Sequence, residues 1–77
     1  MGAQTTTDQP RFSPRHKEVL GLLAAGVSTV SELMARLGVG RKSIEAYLSA
    51  IYVRLGIGGP GSMTKAALWA RDNGYGR

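Results

Sequence analysis

Few reactive side chains are available to this chain: it holds one histidine, His16, no cysteine, and five aspartates and glutamates. A metal centre needs three or four converging nitrogen, thiolate or carboxylate ligands, and a hydrolytic triad needs a nucleophile, an imidazole and an orienting acid. A lone imidazole with scattered acids supplies neither, so the expectation is no metal, no cofactor and no catalysis. The residues that do recur at a useful spacing lie in "GRKSIEAYLSAIYVRLG", Gly40 to Gly56. At about 100° per helical residue, Lys42, Ala46, Ser49 and Val53 share one side, Glu45 and Ala50 flank it, and Arg41 and Arg54 stand at the ends. Short side chains between cations suit close approach to another surface, a polyanion or a protein, held by charge and hydrogen bonds.

The wider composition agrees with an anionic partner. The net charge is +5 and the isoelectric point about 10.3, which favours polyanions, although ordinary solubility of a small domain asks for a similar charge. Seventy-seven residues make one domain, in which only about 60% of the unfolded chain's surface becomes buried, too little for a large enzyme pocket. No apolar run approaches the ~18 residues that span a bilayer, and no charged-then-apolar leader opens the chain. Met1-Gly2 with Thr6 fits the N-myristoylation pattern, but no polybasic stretch supplies the second signal that stable anchoring needs. A soluble, cytoplasmic protein is expected, and the lack of cysteine suits a reducing compartment.

The elements that must position these residues are all helical. Residues 1–11, "MGAQTTTDQPR", lack apolar periodicity and read as a flexible arm, with the domain over 12–77. Ser13-Pro14 is a start signal, since the serine oxygen satisfies a free N–H and proline has none to lose. The first helix runs to about Ala25 with Val19, Leu20, Leu22 and Leu23 on its apolar side and Gly26 as its stop. The second opens with "TVSE", a capping box of Thr29 and Glu32, and buries Val30, Leu33, Met34 and Leu37 at helical spacing. Gly38-Val39-Gly40 turns into a third helix over roughly 41–55, whose core stripe is Ile44, Leu48, Ile51 and Leu55. "GIGGPGSM" is a loop, and a last helix follows from Met63 or Thr64 to Asn73. The G-x-G-x-x-G of Gly56 to Gly61 is a decoy, because no strand precedes it and a proline interrupts it.

Two helices joined by a short glycine turn, the second with a small-residue outer face, form a helix-turn-helix, whose second helix is narrow enough for the ~12 Å major groove of DNA. Several stretches carry a family resemblance. "FSPRHKEVLGLLAAGVS", "ELMARLGVGRKSIEAYLSAIYVRLGI" and "TKAALWARDNG" resemble, in order, the LuxR/GerE-type helix-turn-helix domain of bacterial regulators, over residues 12 to 74. Phe12-Ser13-Pro14-Arg15 echoes the family's Leu-Thr-Pro-Arg opening, Glu18-Val19-Leu20 its Glu-Val-Leu, Leu37-Gly38-Val39 its Leu-Gly-Ile, and Ile51-Tyr52 with Leu55-Gly56-Ile57 its Ile-Tyr and Leu-Gly-Val. The resemblance implies an all-α four-helix bundle that is a DNA-binding transcription regulator, with the third helix in the major groove of double-stranded DNA and the fourth supporting a homodimer. The chain departs from the family's pattern at Glu45, where a lysine is common, at Ser49 and Tyr47, at His16 in place of an acid, and in a longer loop over residues 58–63.

On this reading Lys42, Glu45, Ala46, Ser49 and Val53 face the bases, while Thr29, Arg41, Ser43 and Arg54 serve phosphates, the first turns of helices being favourable for anions. Glu45 either accepts a hydrogen bond from cytosine N4 or is a solvated charge paired with Arg41 or Lys42 one turn back. Leu68 or Trp69, whichever faces outward, anchors the dimer. Tyr47 and Tyr52 read as packing residues with wet hydroxyls, and His16 as a surface residue. A reading from another class competes: a helix-turn-helix module that binds a protein partner, as an antiactivator or co-regulator, without reading DNA sequence.

Overall fold

Serine before proline begins the first helix as expected. In the computed structural model, which describes residues 11–76, Ser13 Oγ accepts the His16 backbone N–H at 3.3 Å and Pro14 is the first residue of helix α1, Pro14–Ala24. Three more helices follow, α2 Val30–Leu37, α3 Arg41–Leu55 and α4 Ser62–Asp72, with no strand among the described residues. The fold is a small all-α four-helix bundle, as the periodicities predict. The arm expected over residues 1–11 lies, apart from Arg11, outside the described residues.

Local chemistry explains the boundaries. Gly26, at φ 106°, ends α1. Thr29 Oγ1 accepts the Glu32 N–H at 3.2 Å, half of the expected capping box. The other half is replaced: the Glu32 carboxylate accepts instead from Arg36 Nη2 at 3.5 Å, an i,i+4 pair in the favourable acid-first order. Gly38 leaves α2 in the left-handed region, its N–H donating to the Met34 carbonyl at 2.8 Å, and α3 begins after a three-residue turn, Gly38 to Gly40. At the loop before α4, Ser62 Oγ donates to the Gly59 carbonyl at 2.7 Å, which starts α4 one residue ahead of the expected Met63.

The apolar stripes converge on one core. Val19, Leu20 and Leu23 of α1, Leu33 of α2, Ile44, Leu48 and Ile51 of α3, and Ala66 and Ala70 of α4 are buried together with Phe12 and Val27. Leu22, Val30, Met34, Leu37 and Leu55 are half-buried at its rim. Helix α1 packs on α4 and α3, and α3 also packs on α2 and α4. Buried alanines on α4 let α1 come close, and the outer side of α3 is left clear.

The chain after α4 folds back on α1. Tyr75 N–H donates to the Ala70 carbonyl at 2.9 Å, its ring lies 5.7 Å from that of Trp69, and Gly76 sits at φ 82° against α1. A Cβ on Gly76 would lie 2.9 Å from the Ala24 Cβ and 3.1 Å from the Gly21 carbonyl oxygen. Gly76→Ala is therefore expected to destabilise by about 1 to 3 kcal/mol, from the strained backbone and the clash together. Gly58→Ala is the control, since its φ is ordinary and a Cβ there meets nothing within 4 Å. Urea denaturation followed by helical circular dichroism checks the pair, and equal midpoints would show that the tail does not hold α1.

Candidate nucleic-acid interface

Helix α3 has two unlike sides. Ile44, Leu48 and Ile51 are buried, and on the opposite side Lys42, Glu45, Ala46, Ser49 and Val53 are all exposed. Val53 is 79% exposed. From Lys42 to Val53 this face runs about 16 Å along the axis, at 1.5 Å per residue. The structure thus brings the five expected base-facing residues onto one surface.

The residues expected to serve phosphates divide by position. Arg41 is exposed at the first turn of α3, and Arg54 is exposed in its last turn, donating through Nη1 to the Ala50 carbonyl at 3.4 Å. They stand about 20 Å apart along the axis. Ser43 is half-buried on the first turn. Thr29 uses its oxygen to cap α2, which leaves its hydroxyl hydrogen free to donate.

Glu45 differs from one expectation. Ion pairs among the described residues join Arg15 to Glu18 at 2.9 Å and Arg36 to Glu32 at 3.5 Å, and none joins Glu45 to Arg41 or Lys42. Exposed pairs give up side-chain freedom for little Coulomb gain, so sequence spacing alone does not decide which of them form: Arg15–Glu18, also cation first, does. Glu45 is an exposed carboxylate without an ion-pair partner among the described residues.

His16 requires a correction. It is half-buried rather than a surface residue, with its ring edge-on to Phe12 at 6.3 Å and to Tyr47 of α3 at 5.7 Å. Its Nδ1 lies 2.8 Å from Ser13 Oγ. Burial, and then the nearby Arg54 guanidinium, hold the imidazole pKa below its ordinary value. The signal was in the spacing: His16 precedes Val19, Leu20 and Leu23 by three, four and seven, which extends their stripe by one turn. Phe12 also belongs to the core and touches Trp69 edge-on at 5.8 Å. Tyr47 and Tyr52 are half-buried, and desolvation pushes the Tyr52 hydroxyl pKa up.

Between Leu68 and Trp69 the packing makes the choice. Trp69 is half-buried between Phe12 and Tyr75, whereas Leu68 is 53% exposed. Leu68 borders a cleft of ≈ 180 Å³ between α4 and the end of α1, lined also by Leu23, Val27, Met63, Ala67 and Arg71. Arg71 is the one ionisable group on that lining. Among the described residues no three metal-ligating side chains stand together, and no helix is long and apolar enough to cross a membrane. Comparisons with protein-family profiles, curated proteins and solved structures found no match to this chain.

Proposed function

We propose that this chain is a sequence-specific DNA-binding transcription regulator, acting in the cytoplasm as a homodimer that presents α3 to the major groove. The observation that carries the reading is the outer side of α3, where Lys42, Glu45, Ala46, Ser49 and Val53 are exposed on the second helix of a helix-turn-helix. Short residues at the centre permit approach to the groove floor, and Arg41 and Arg54 lie where flanking phosphates would set the register. The family resemblance of the sequence supports the same role. A titration of labelled genomic fragments at physiological salt, with specific and scrambled competitors, tests it. The expected result is a duplex bound at least ~10³-fold more tightly than scrambled DNA. Binding without sequence preference that fades with added salt would reflect only the phosphate term, and would sink the proposal.

A second reading has its own observation. Val53 is the most exposed large apolar side chain on α3, beside small Ala46 and Ser49 and the unpaired Glu45. A protein partner would cover that apolar surface, and the carboxylate would meet a cation there.

The dimer is proposed to form through α4 with Leu68 as its anchor. Leu68→Glu is expected to convert the dimer to monomer in sedimentation velocity without loss of helicity, because a charge in an apolar contact is costly to desolvate. A wild-type protein that stays monomeric both free and on DNA with two half-sites overturns this.

A further inference from the structure

The cleft of ≈ 180 Å³ between α4 and the end of α1 has a cause in the sequence. Met63, Thr64, Ala67, Leu68 and Arg71 follow one another at helical spacing, so one side of α4 borders it. Ala67 carries only a methyl group there, where a longer side chain would fill the space. Opposite stand Leu23, near the end of α1, and Gly26, Val27 and Ser28 in the turn after it. Gly26, at φ 106°, has nothing within 4 Å of where a Cβ would lie, so the turn leaves its side of the cleft open.

The floor is apolar and the edges are polar. Leu23 and Val27 are buried, and Met63 and Ala67 are half-buried. Exposed Thr64 and Arg71 stand two turns apart on α4, about 10 Å along its axis. Arg71 takes part in no ion pair among the described residues, and the acid beside it, Asp72, lies outside the lining. The hydroxyls of Ser28 and Thr64 likewise have no hydrogen-bond partner among the described residues. The cleft thus joins an apolar floor to one unneutralised guanidinium.

Volume decides the size of an occupant and charge decides its end group. A cavity of about 150 Å³ with apolar walls accommodates benzene, so this cleft takes one ring or a short aliphatic chain. It falls short of the roughly 300 Å³ where pockets for drug-sized ligands begin. An ammonium would be repelled by Arg71, and a polyphosphate would have to desolvate its charges on Leu23 and Val27. A neutral molecule would leave the guanidinium without a partner. We propose that the cleft binds a small organic carboxylate, its apolar body on Leu23, Val27 and Ala67 and its two oxygens on the paired N–H groups of Arg71. No residue of α3 lines the cleft, so the site is independent of the DNA reading. Leu68 borders the cleft and is also the proposed dimer anchor, so a bound acid competes with self-association.

The test is a titration of the isotope-labelled full chain at pH 7 and constant ionic strength, followed by amide chemical shifts. Three probes share one ring and differ in the end group: benzoate, benzyl alcohol and benzylamine. Benzoate is expected to shift Gly26, Val27, Ala67 and Arg71 with a Kd of about 1 mM, since a ligand of some ten atoms in an open cleft gains little more. Benzyl alcohol should bind about fivefold more weakly, the upper end for an exposed ion pair, and benzylamine should not saturate. Arg71→Gln should bring benzoate down to the level of benzyl alcohol and leave benzyl alcohol unchanged. Ala67→Leu, which fills the cleft from α4, should abolish both while helical circular dichroism persists. Equal affinity for the three probes, benzoate binding that Arg71→Gln does not weaken, or no saturable shift at these amides overturns the proposal. Shifts at the same amides that follow protein concentration and not benzoate would mean that a second copy fills the cleft, and would overturn it too.

Discussion

Leu48→Ala is expected to cost about 2 to 5 kcal/mol of folding free energy, and Val53→Ala, five residues along the same helix, less than about 0.5 kcal/mol. Leu48 is 5% exposed and belongs to the core with Ile44 and Ile51, whereas Val53 is 79% exposed. Removing buried methyl groups loses their transfer energy and leaves a cavity that close-packed neighbours fill only in part. Removing the methyl groups of Val53 changes little, and alanine's higher helix propensity offsets part of even that. Stability near 0.05 to 0.15 kcal/mol per residue implies a total of roughly 4 to 12 kcal/mol for a chain of this size, so the Leu48 change consumes a large share of it. The melting temperature should fall by about 4 to 8 °C for each kcal/mol. Thermal and urea unfolding read both variants, and similar losses at the two positions would mean that α3 is rotated from the phase described.

Glu45→Lys has the largest expected effect on binding, and its pattern separates the functional readings. The change replaces an exposed, unpaired carboxylate with a cation on the side of α3 proposed to face DNA. If Glu45 is only a solvated charge there, affinity rises on every duplex, by about fivefold or more at 0.15 M salt, with a salt dependence steeper by about 0.9 in log–log slope. If its carboxylate accepts from a cytosine N4, general affinity still rises but about 1 to 3 kcal/mol of discrimination disappears at one base pair. If α3 docks on a protein, wild type shows no sequence preference at physiological salt, and the variant loses a partner complex through a reversed charge. The regulator reading expects one of the first two patterns. A flat, sequence-blind response from both proteins would sink it.

Much of the proposed interface was legible because an exposed helical face is a matter of local periodicity. Ile44, Leu48, Ile51 and Leu55 set the phase of α3, and that phase sends Lys42, Ala46, Ser49 and Val53 the other way. The same logic would have drawn in His16, one turn ahead of Val19 and Leu20, had its imidazole been weighed as a ring to pack rather than as a charge to solvate. Partnerships of exposed charges were less legible. Glu45 had two cations within reach along the helix and pairs with neither, while Glu32 serves Arg36 and not its own cap, because such choices turn on differences of a few tenths of a kcal/mol.

By itself the sequence determined the number, type and approximate ends of the helices, because Ser13-Pro14, Thr29, Gly26, Gly38 and Gly56 act on backbone within a turn of themselves, and it determined the large aliphatic part of the core on the first three helices but not Phe12, Val27, Ala66 or Ala70. Only the tertiary structure decided which of two adjacent residues, Leu68 or Trp69, faces outward, that Gly76 returns to close on α1, and that the His16 ring meets Tyr47 of α3. Adjacent helical positions differ by about 100°, and both belong to the border of an apolar stripe on α4. Which one is covered depends on Phe12, far away in sequence and placed by the packing of α1 on α4, and on Tyr75, which the turn after α4 brings back onto Trp69.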